Sequence, residues 1–197
     1  MLKTMVFIDY ENFDIALKNY YRSMNKDFPR LDYQKLAQNL CETIQLEDVK
    51  LIKTMLFVPE PDKFLLQDKH WKEFDRSLSG LQSKPFMDVI KGRFVTYPVD
   101  PTVPKNIYDK KTYFKVEKGT DINIASNMLT MAFNDSYDIA VLISGDSDYT
   151  TVLNTLRTIG KLSYIATVEG QNSKLSKVAD SNYVMRELLF DKSLRAK

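Results

Sequence analysis

The sequence is poor in the residues that build soft-metal sites and covalent cross-links. Its 197 residues include one cysteine, Cys41, and one histidine, His70. A Cys/His zinc site, an internal disulfide or a Ser-His-Asp triad needs more than these two residues, or uses up the single histidine. This scarcity favours a reducing cytoplasm, and it predicts that any metal chemistry uses oxygen ligands.

Long hydrophobic runs and a strong net charge are also missing. No stretch approaches the roughly 18 consecutive apolar residues of a membrane helix, and the apolar start of the chain breaks at Asp9, too early for a signal-peptide core. The 28 basic and 26 acidic residues leave a net charge of +2, which excludes a chain that is basic throughout. We therefore expect a soluble, cytoplasmic protein that makes no membrane contact and has at most a local basic surface.

What is present is typical of one folded α/β domain covering residues 1–197. Hydrophobic residues make up 44% of the chain and aromatic residues 12%, enough for a sizeable core. Strand-like runs alternate with helical stripes, and this alternation predicts a mainly parallel sheet with helices on both faces, a three-layer α/β/α sandwich. The predicted strands are 4–9, 49–58, 93–97, 139–143 and 162–168, and the first helix is expected to start at an Asn12 N-cap.

A proline-rich segment interrupts this alternation at about 98–118. Prolines at 98, 101 and 104 are expected to prevent a regular element there. Residues 84–119 carry eight basic and four acidic side chains, so the excess of positive charge is concentrated in this part of the chain. We expect 98–118 to form a variable, mobile basic flap.

Carboxylates follow the predicted strands where parallel α/β sheets bind their ligands. Asp9 ends the first strand, Asp146 and Asp148 follow the strand at 139–143, and Asp121 opens a helix. Each has an ordinary alternative, since Asn12 fits a helix N-cap and Asp121 or Asp148 would complement a helix dipole by about 0.3–1 kcal/mol. That alternative does not account for two neighbouring strands that both end in Asp. Clustered carboxylates repel one another, so the pattern favours a bound Mg²⁺ or Mn²⁺.

Three phrases in this order carry a family resemblance: Val6-Phe-Ile-Asp-Tyr-Glu-Asn12, Lys118-Gly-Thr-Asp121 and Leu142-Ile-Ser-Gly-Asp-Ser-Asp-Tyr149. They resemble the NYN domain of the PIN-like nuclease superfamily, and its LabA-like (DUF88) branch in particular. The resemblance implies a PIN-like fold and a Mg²⁺- or Mn²⁺-dependent endoribonuclease. The residues that it assigns to the metal are Asp9, Asp121, Asp146 and Asp148, with Asn12 joining them in catalysis.

RNA is the partner that this resemblance implies. We expect Lys118, Ser144, Lys105, Lys110 and Lys111 to contact it, with Tyr97, Tyr108 and Tyr113 as stacking surfaces. Hydrolysis by a metal-activated water would leave a 5′-phosphate and a 3′-hydroxyl.

Two alternatives stay open. One is a regulatory module that binds RNA or protein with little turnover, although a binder of polyanions gains nothing from clustered negative charge. The other is a different Mg²⁺-dependent phosphotransferase or phosphatase. Haloacid-dehalogenase phosphatases need Asp-x-Asp after the first strand, and this chain has Asp9-Tyr10-Glu11 there.

Overall fold

A computed structural model describes residues 1–195, so the last two residues of the expected 1–197 domain lie outside it. Seven strands form one sheet in the order β4-β3-β2-β1-β5-β6-β7, and every neighbouring pair is parallel except β3 and β4. The strands are β1 (Leu2–Asp9), β2 (Val49–Glu60), β3 (Met87–Pro98), β4 (Tyr113–Lys118), β5 (Ile139–Ile143), β6 (Leu162–Val168) and β7 (Ser181–Met185). The helices are α1 (Tyr10–Ser23), α2 (Tyr33–Cys41), α3 (Lys69–Gln82), α4 (Thr120–Phe133), α5 (Thr150–Thr158) and α6 (Glu187–Lys192).

The central strands are continuous apolar runs because helices cover both of their faces. All five residues of β5 are buried. In β1, alternate side chains enter opposite cores: Val6 and Ile8 pack with α1, α2 and α6, whereas Met5 and Phe7 pack with α4 and α5. The predicted three-layer α/β/α sandwich is confirmed. Within the described residues no helix is long and apolar enough to cross a bilayer.

The first helix begins earlier than the sequence predicts. Helix α1 starts at Tyr10, and its N-cap is Asp9, whose carboxylate accepts a hydrogen bond from the Asn12 backbone N–H at 3.4 Å. The expectation that Asn12 is the N-cap is therefore wrong. The Asn12 side chain instead forms hydrogen bonds with residues outside α1.

The segment 98–118 is also more ordered than predicted. Residues 113–118 form β4, which pairs antiparallel with the end of β3, from Pro98↔Tyr113 to Arg93↔Lys118. In the intervening loop, Ile107 is buried beside Leu65 and Phe94. The prediction of a flap without regular structure is wrong for β4, because the prolines end β3 and shape the loop but leave the returning strand intact.

Candidate active site

The candidate site lies where β1 and β5 end side by side. Ile8 pairs with Ile143, so Asp9 and Ser144 follow at the same edge of the sheet. The Ser144 hydroxyl donates to Asp9 Oδ2 at 3.0 Å and accepts from the Asp146 N–H at 3.1 Å. One buried hydroxyl therefore ties the end of β1 to the turn after β5.

Asp9 is a buried carboxylate, only 4% exposed. Besides Ser144 and the Asn12 N–H, it accepts a hydrogen bond from the Tyr149 hydroxyl, which lies 3.2 Å from Asp9 Oδ2. Burial raises the pKa of Asp9 to about 6, and the negative charge of Asp121 adds to the rise while the hydrogen bonds oppose it. A proton or a bound cation therefore stabilises the Asp9 carboxyl group in this buried position.

Tyr149 places Asp121 next to Asp9. The Tyr149 hydroxyl is 3.1 Å from Asp121 Oδ1 as well as 3.2 Å from Asp9 Oδ2. Burial and the two carboxylates raise the pKa of Tyr149 well above its usual range, so the phenol stays protonated. A phenol has one proton to donate. The Tyr149 phenol can therefore donate to only one of the two carboxylates at a time, and the other carboxylate receives no proton from it.

Asp146 and Asp148 lie on the outer side of this group. Asp146 Oδ1 accepts from the Asp148 N–H at 3.0 Å, so it caps the short 3-10 helix Ser147–Tyr149. Asp146 is half-buried, and Asp148 is exposed. The structure thus joins Asp9 to Asp121 through Tyr149 and to Asp146 through Ser144, and it leaves Asp148 at the rim.

Asn12 fixes the turn after β5. Its Oδ1 accepts from the Gly145 N–H at 2.9 Å and from Gln171 Nε2 at 2.7 Å. A Cβ at Gly145 would lie 2.6 Å from Gln171 Nε2, so a larger residue here would displace the Gln171 side chain from Asn12. Gln171, which follows β6, was not predicted from the sequence, because a lone glutamine after a strand carries no local signal.

A second pair of acids borders the site on β4 and α1. Lys115 forms an ion pair with Glu11. Burial, reinforced by the nearby Glu11 and Asp9, raises the pKa of Glu117 to about 8. The sequence prediction missed Glu117 because it treated 98–118 as a loop, and the side-chain alternation of a strand would have placed Lys115 and Glu117 on one face.

The structure separates the residues that we expected to contact the substrate. Ser144 is 1% exposed, and its hydroxyl is occupied in positioning Asp9. Lys105 is half-buried, and its ammonium donates to the carbonyl oxygen of Thr96 at 3.0 Å and to its Oγ1 at 2.6 Å. Lys110, Lys111 and Lys118 are exposed, and we call these three the hairpin lysines.

Aromatic rings accompany the hairpin lysines. Tyr97 and Phe114 face each other across β3 and β4 with ring centroids 5.7 Å apart, and both are exposed to solvent. The Lys118 ammonium lies 5.7 Å from the Tyr97 ring centroid. Tyr113 instead packs edge-on against Phe64 at 4.9 Å, so of the predicted rings it is the least suited to stacking on a base.

The oxygen donors fit a hard divalent cation. Within residues 1–195 the structure gathers no set of three or more carboxylate, histidine or cysteine side chains that could hold a metal ion. Mg²⁺ is commonly held by one or two carboxylates, with water and substrate phosphate completing its shell. Asp9 and Asp121, which share a single hydroxyl donor, are a pair of this kind.

A three-layer α/β sandwich with acidic side chains at the carboxyl edge of its central strands is consistent with a PIN-like domain. The chain belongs to the NYN domain family, whose model matches residues 3–186. NYN domains are part of the PIN-like nuclease superfamily.

One solved structure supports the fold independently. It is the crystal structure of a protein of unknown function from Vibrio parahaemolyticus, with a TM-score of 0.59 and 16% identity, and the match covers 98% of this chain and 96% of that one. At this identity the likeness concerns the fold alone. No curated protein matches the chain.

Proposed function

We propose that the protein is a Mg²⁺- or Mn²⁺-dependent endoribonuclease of the LabA-like branch and that it acts in the cytoplasm. The observation that carries the proposal is the pair formed by the buried Asp9 and the exposed Asp121, which share the single proton of Tyr149. Asp9 ends the parallel strand β1, at the sheet edge where α/β proteins bind their ligands, and the Tyr149 hydroxyl brings Asp121, at the start of α4, beside it. Membership of the NYN family supports nuclease chemistry at this place.

Asp9 and Asp121 would hold the metal ion, with Asp146 beside them and Asp148 at the rim. A bound divalent ion supplies an activated water and neutralises charge on the phosphate. Ser144 and Tyr149 orient Asp9 through their hydroxyl groups, and Asn12 fixes the turn at Gly145. The only histidine, His70, lies on α3 away from this group of hydrogen bonds, so the chain's own acid-base chemistry here rests on carboxyl groups.

RNA would approach across the β3–β4 hairpin. Tyr97 and Phe114 offer rings on which bases stack, and the hairpin lysines supply positive charge for phosphates. Lys105 supports the hairpin from inside through Thr96. The ion pair of Lys115 with Glu11 connects the same hairpin to α1.

Incubation with labelled RNA, single-stranded DNA and a generic phosphomonoester, in Mg²⁺, Mn²⁺ or EDTA, tests this proposal. We expect internal cleavage of RNA with either metal and none in EDTA. Asp121→Asn should lose the activity, whereas Glu47→Gln, which removes an exposed acid in the turn before β2, should keep it. RNA binding without cleavage would favour the regulatory module, and hydrolysis of the phosphomonoester alone would favour a phosphatase.

A further inference from the structure

A cavity of about 340 Å³ lies beside the candidate site, between α1 and the turn after β6. Its walls include the apolar side chains of Ile15 and Ala16 and the amide side chains of Asn12, Asn19 and Gln171. We propose that this cavity binds one unpaired nucleobase of the RNA, next to the bond that is cut. The proposal rests on the function proposed above and adds a specificity site to it.

The cavity and the candidate site share Asn12. The backbone of Asn12 donates to Asp9, and its side chain accepts from Gly145. From there the cavity follows one face of α1, on which Asn12, Ala16 and Asn19 recur at helical spacing. A nucleotide whose phosphate sits at Asp9 therefore has its base within reach of this helix face.

The hydrogen-bonding groups of the cavity suit a base. Both ends of the Gln171 amide are engaged, with Nε2 donating to Asn12 and Oε1 accepting from the Val168 N–H at 3.2 Å. Because Asn12 Oδ1 already accepts two hydrogen bonds, the amide of Asn12 has its NH₂ group left for a ligand. Asn19 adds an exposed amide with one acceptor and two donors. Such groups pair with the edge of an unpaired base.

Charge and size favour a single base over a phosphate or a duplex. Glu169, the acid that lines the cavity, is paired with Arg186 at 2.9 Å, and none of the lining residues is basic. Ile15 is 52% exposed on the cavity wall, which gives a flat aromatic ring an apolar surface to cover. The volume is at the lower end of the range for small-ligand pockets, so it has room for one base and excludes a duplex.

The test is a titration of the whole chain with AMP, GMP, CMP and UMP in EDTA, followed by backbone amide NMR. We expect shifts at 15–23 and 169–171 with at least one nucleotide, and none there with ribose 5-phosphate, which lacks a base. Asn19→Ala should weaken that binding at least threefold, and Ile15→Trp, which fills the opening, should abolish it. Asn154→Ala on α5 and Leu46→Trp before β2 are the matched controls, and both should bind as wild type does.

Equal shifts with ribose 5-phosphate, shifts confined to other parts of the chain, or wild-type binding by both cavity variants would overturn the proposal. Because these measurements are made without metal and without cleavage, they stand apart from the test of hydrolysis. In active protein, the same Asn19→Ala change should alter the base preferred beside the cut site. A preference identical to that of wild type would count against the cavity.

Discussion

The replacement Asp9→Asn should stabilise the metal-free protein at neutral pH although it removes a residue of the candidate site. Burial raises the pKa of Asp9 from 3.8 to about 6. At about 1.4 kcal/mol per pKa unit, ionisation of Asp9 therefore lowers the free energy of unfolding by about 3 kcal/mol. Because the folded pKa is the higher one, the stability is fully present below about pH 4 and is lost as the pH rises through about 6.

Asparagine removes the charge but has a single oxygen to accept hydrogen bonds. This oxygen can accept hydrogen bonds from the hydroxyl groups of Ser144 and Tyr149 or from the Asn12 N–H, so one hydrogen bond that contributes about 1 kcal/mol is lost. We expect Asp9→Asn to raise the free energy of unfolding by about 2 kcal/mol at pH 8 and to lower it by about 1 kcal/mol at pH 4. The change of sign is the diagnostic feature.

Denaturant unfolding of wild type and variant in EDTA, at steps from pH 4 to pH 8, measures this difference directly. Glu47→Gln serves as the control, because an exposed charge should change the free energy of unfolding by less than about 0.5 kcal/mol at any pH. A difference between Asp9→Asn and wild type that stays constant across this range would show that burial does not oppose ionisation of Asp9.

Three further variants test other parts of the site. Asp146→Asn should leave the melting temperature of the metal-free protein equal or higher, should reduce the stabilisation by added Mn²⁺, and should abolish activity. Thermal melts with and without metal measure the first two effects. Stabilisation by Mn²⁺ equal to that of wild type would show that Asp146 does not bind the metal. Tyr149→Phe should lower the free energy of unfolding in EDTA by about 1–3 kcal/mol at pH 8, because the two carboxylates lose the hydroxyl donor that they share. Denaturant unfolding measures this change, and an unchanged free energy of unfolding would contradict the role of Tyr149. Alanine at all three hairpin lysines should weaken RNA binding and flatten its salt dependence, measured by fluorescence anisotropy at several salt concentrations, and an unchanged slope would show that RNA binds elsewhere.

Features that depend on local pattern could be predicted from the sequence. The apolar runs of β1 and β5 predict parallel central strands, and their ends at Asp9 and Ser144 predict where a site would lie. The α/β/α layers follow from the alternation of strands and helices. The antiparallel β4 was missed, because its alternation of Phe114, Lys115, Val116 and Glu117 is short and follows prolines that indicate a loop; the strand is defined by its pairing with β3.

Roles that depend on tertiary contacts could not be predicted. Ser144 looks like a substrate ligand in the motif, but the layers around β5 bury it against Asp9. Tyr149 follows Asp148 in the sequence, yet its hydroxyl reaches across to Asp9 and Asp121 because α5 and α4 pack on the same face of the sheet. Gln171 acquires its role only when β6 lies beside β5.

In the function proposed above, the pair Asp9 and Asp121 supports hydrolysis of RNA by a metal-activated water. End-group analysis of RNA cut in Mn²⁺, for wild type and for Asp121→Asn at matched concentration, tests it most directly. We expect 5′-phosphate and 3′-hydroxyl ends from the wild type, no cleavage in EDTA and none by the variant. Ends carrying a 2′,3′-cyclic phosphate, cleavage that survives EDTA, or full activity in Asp121→Asn would contradict it.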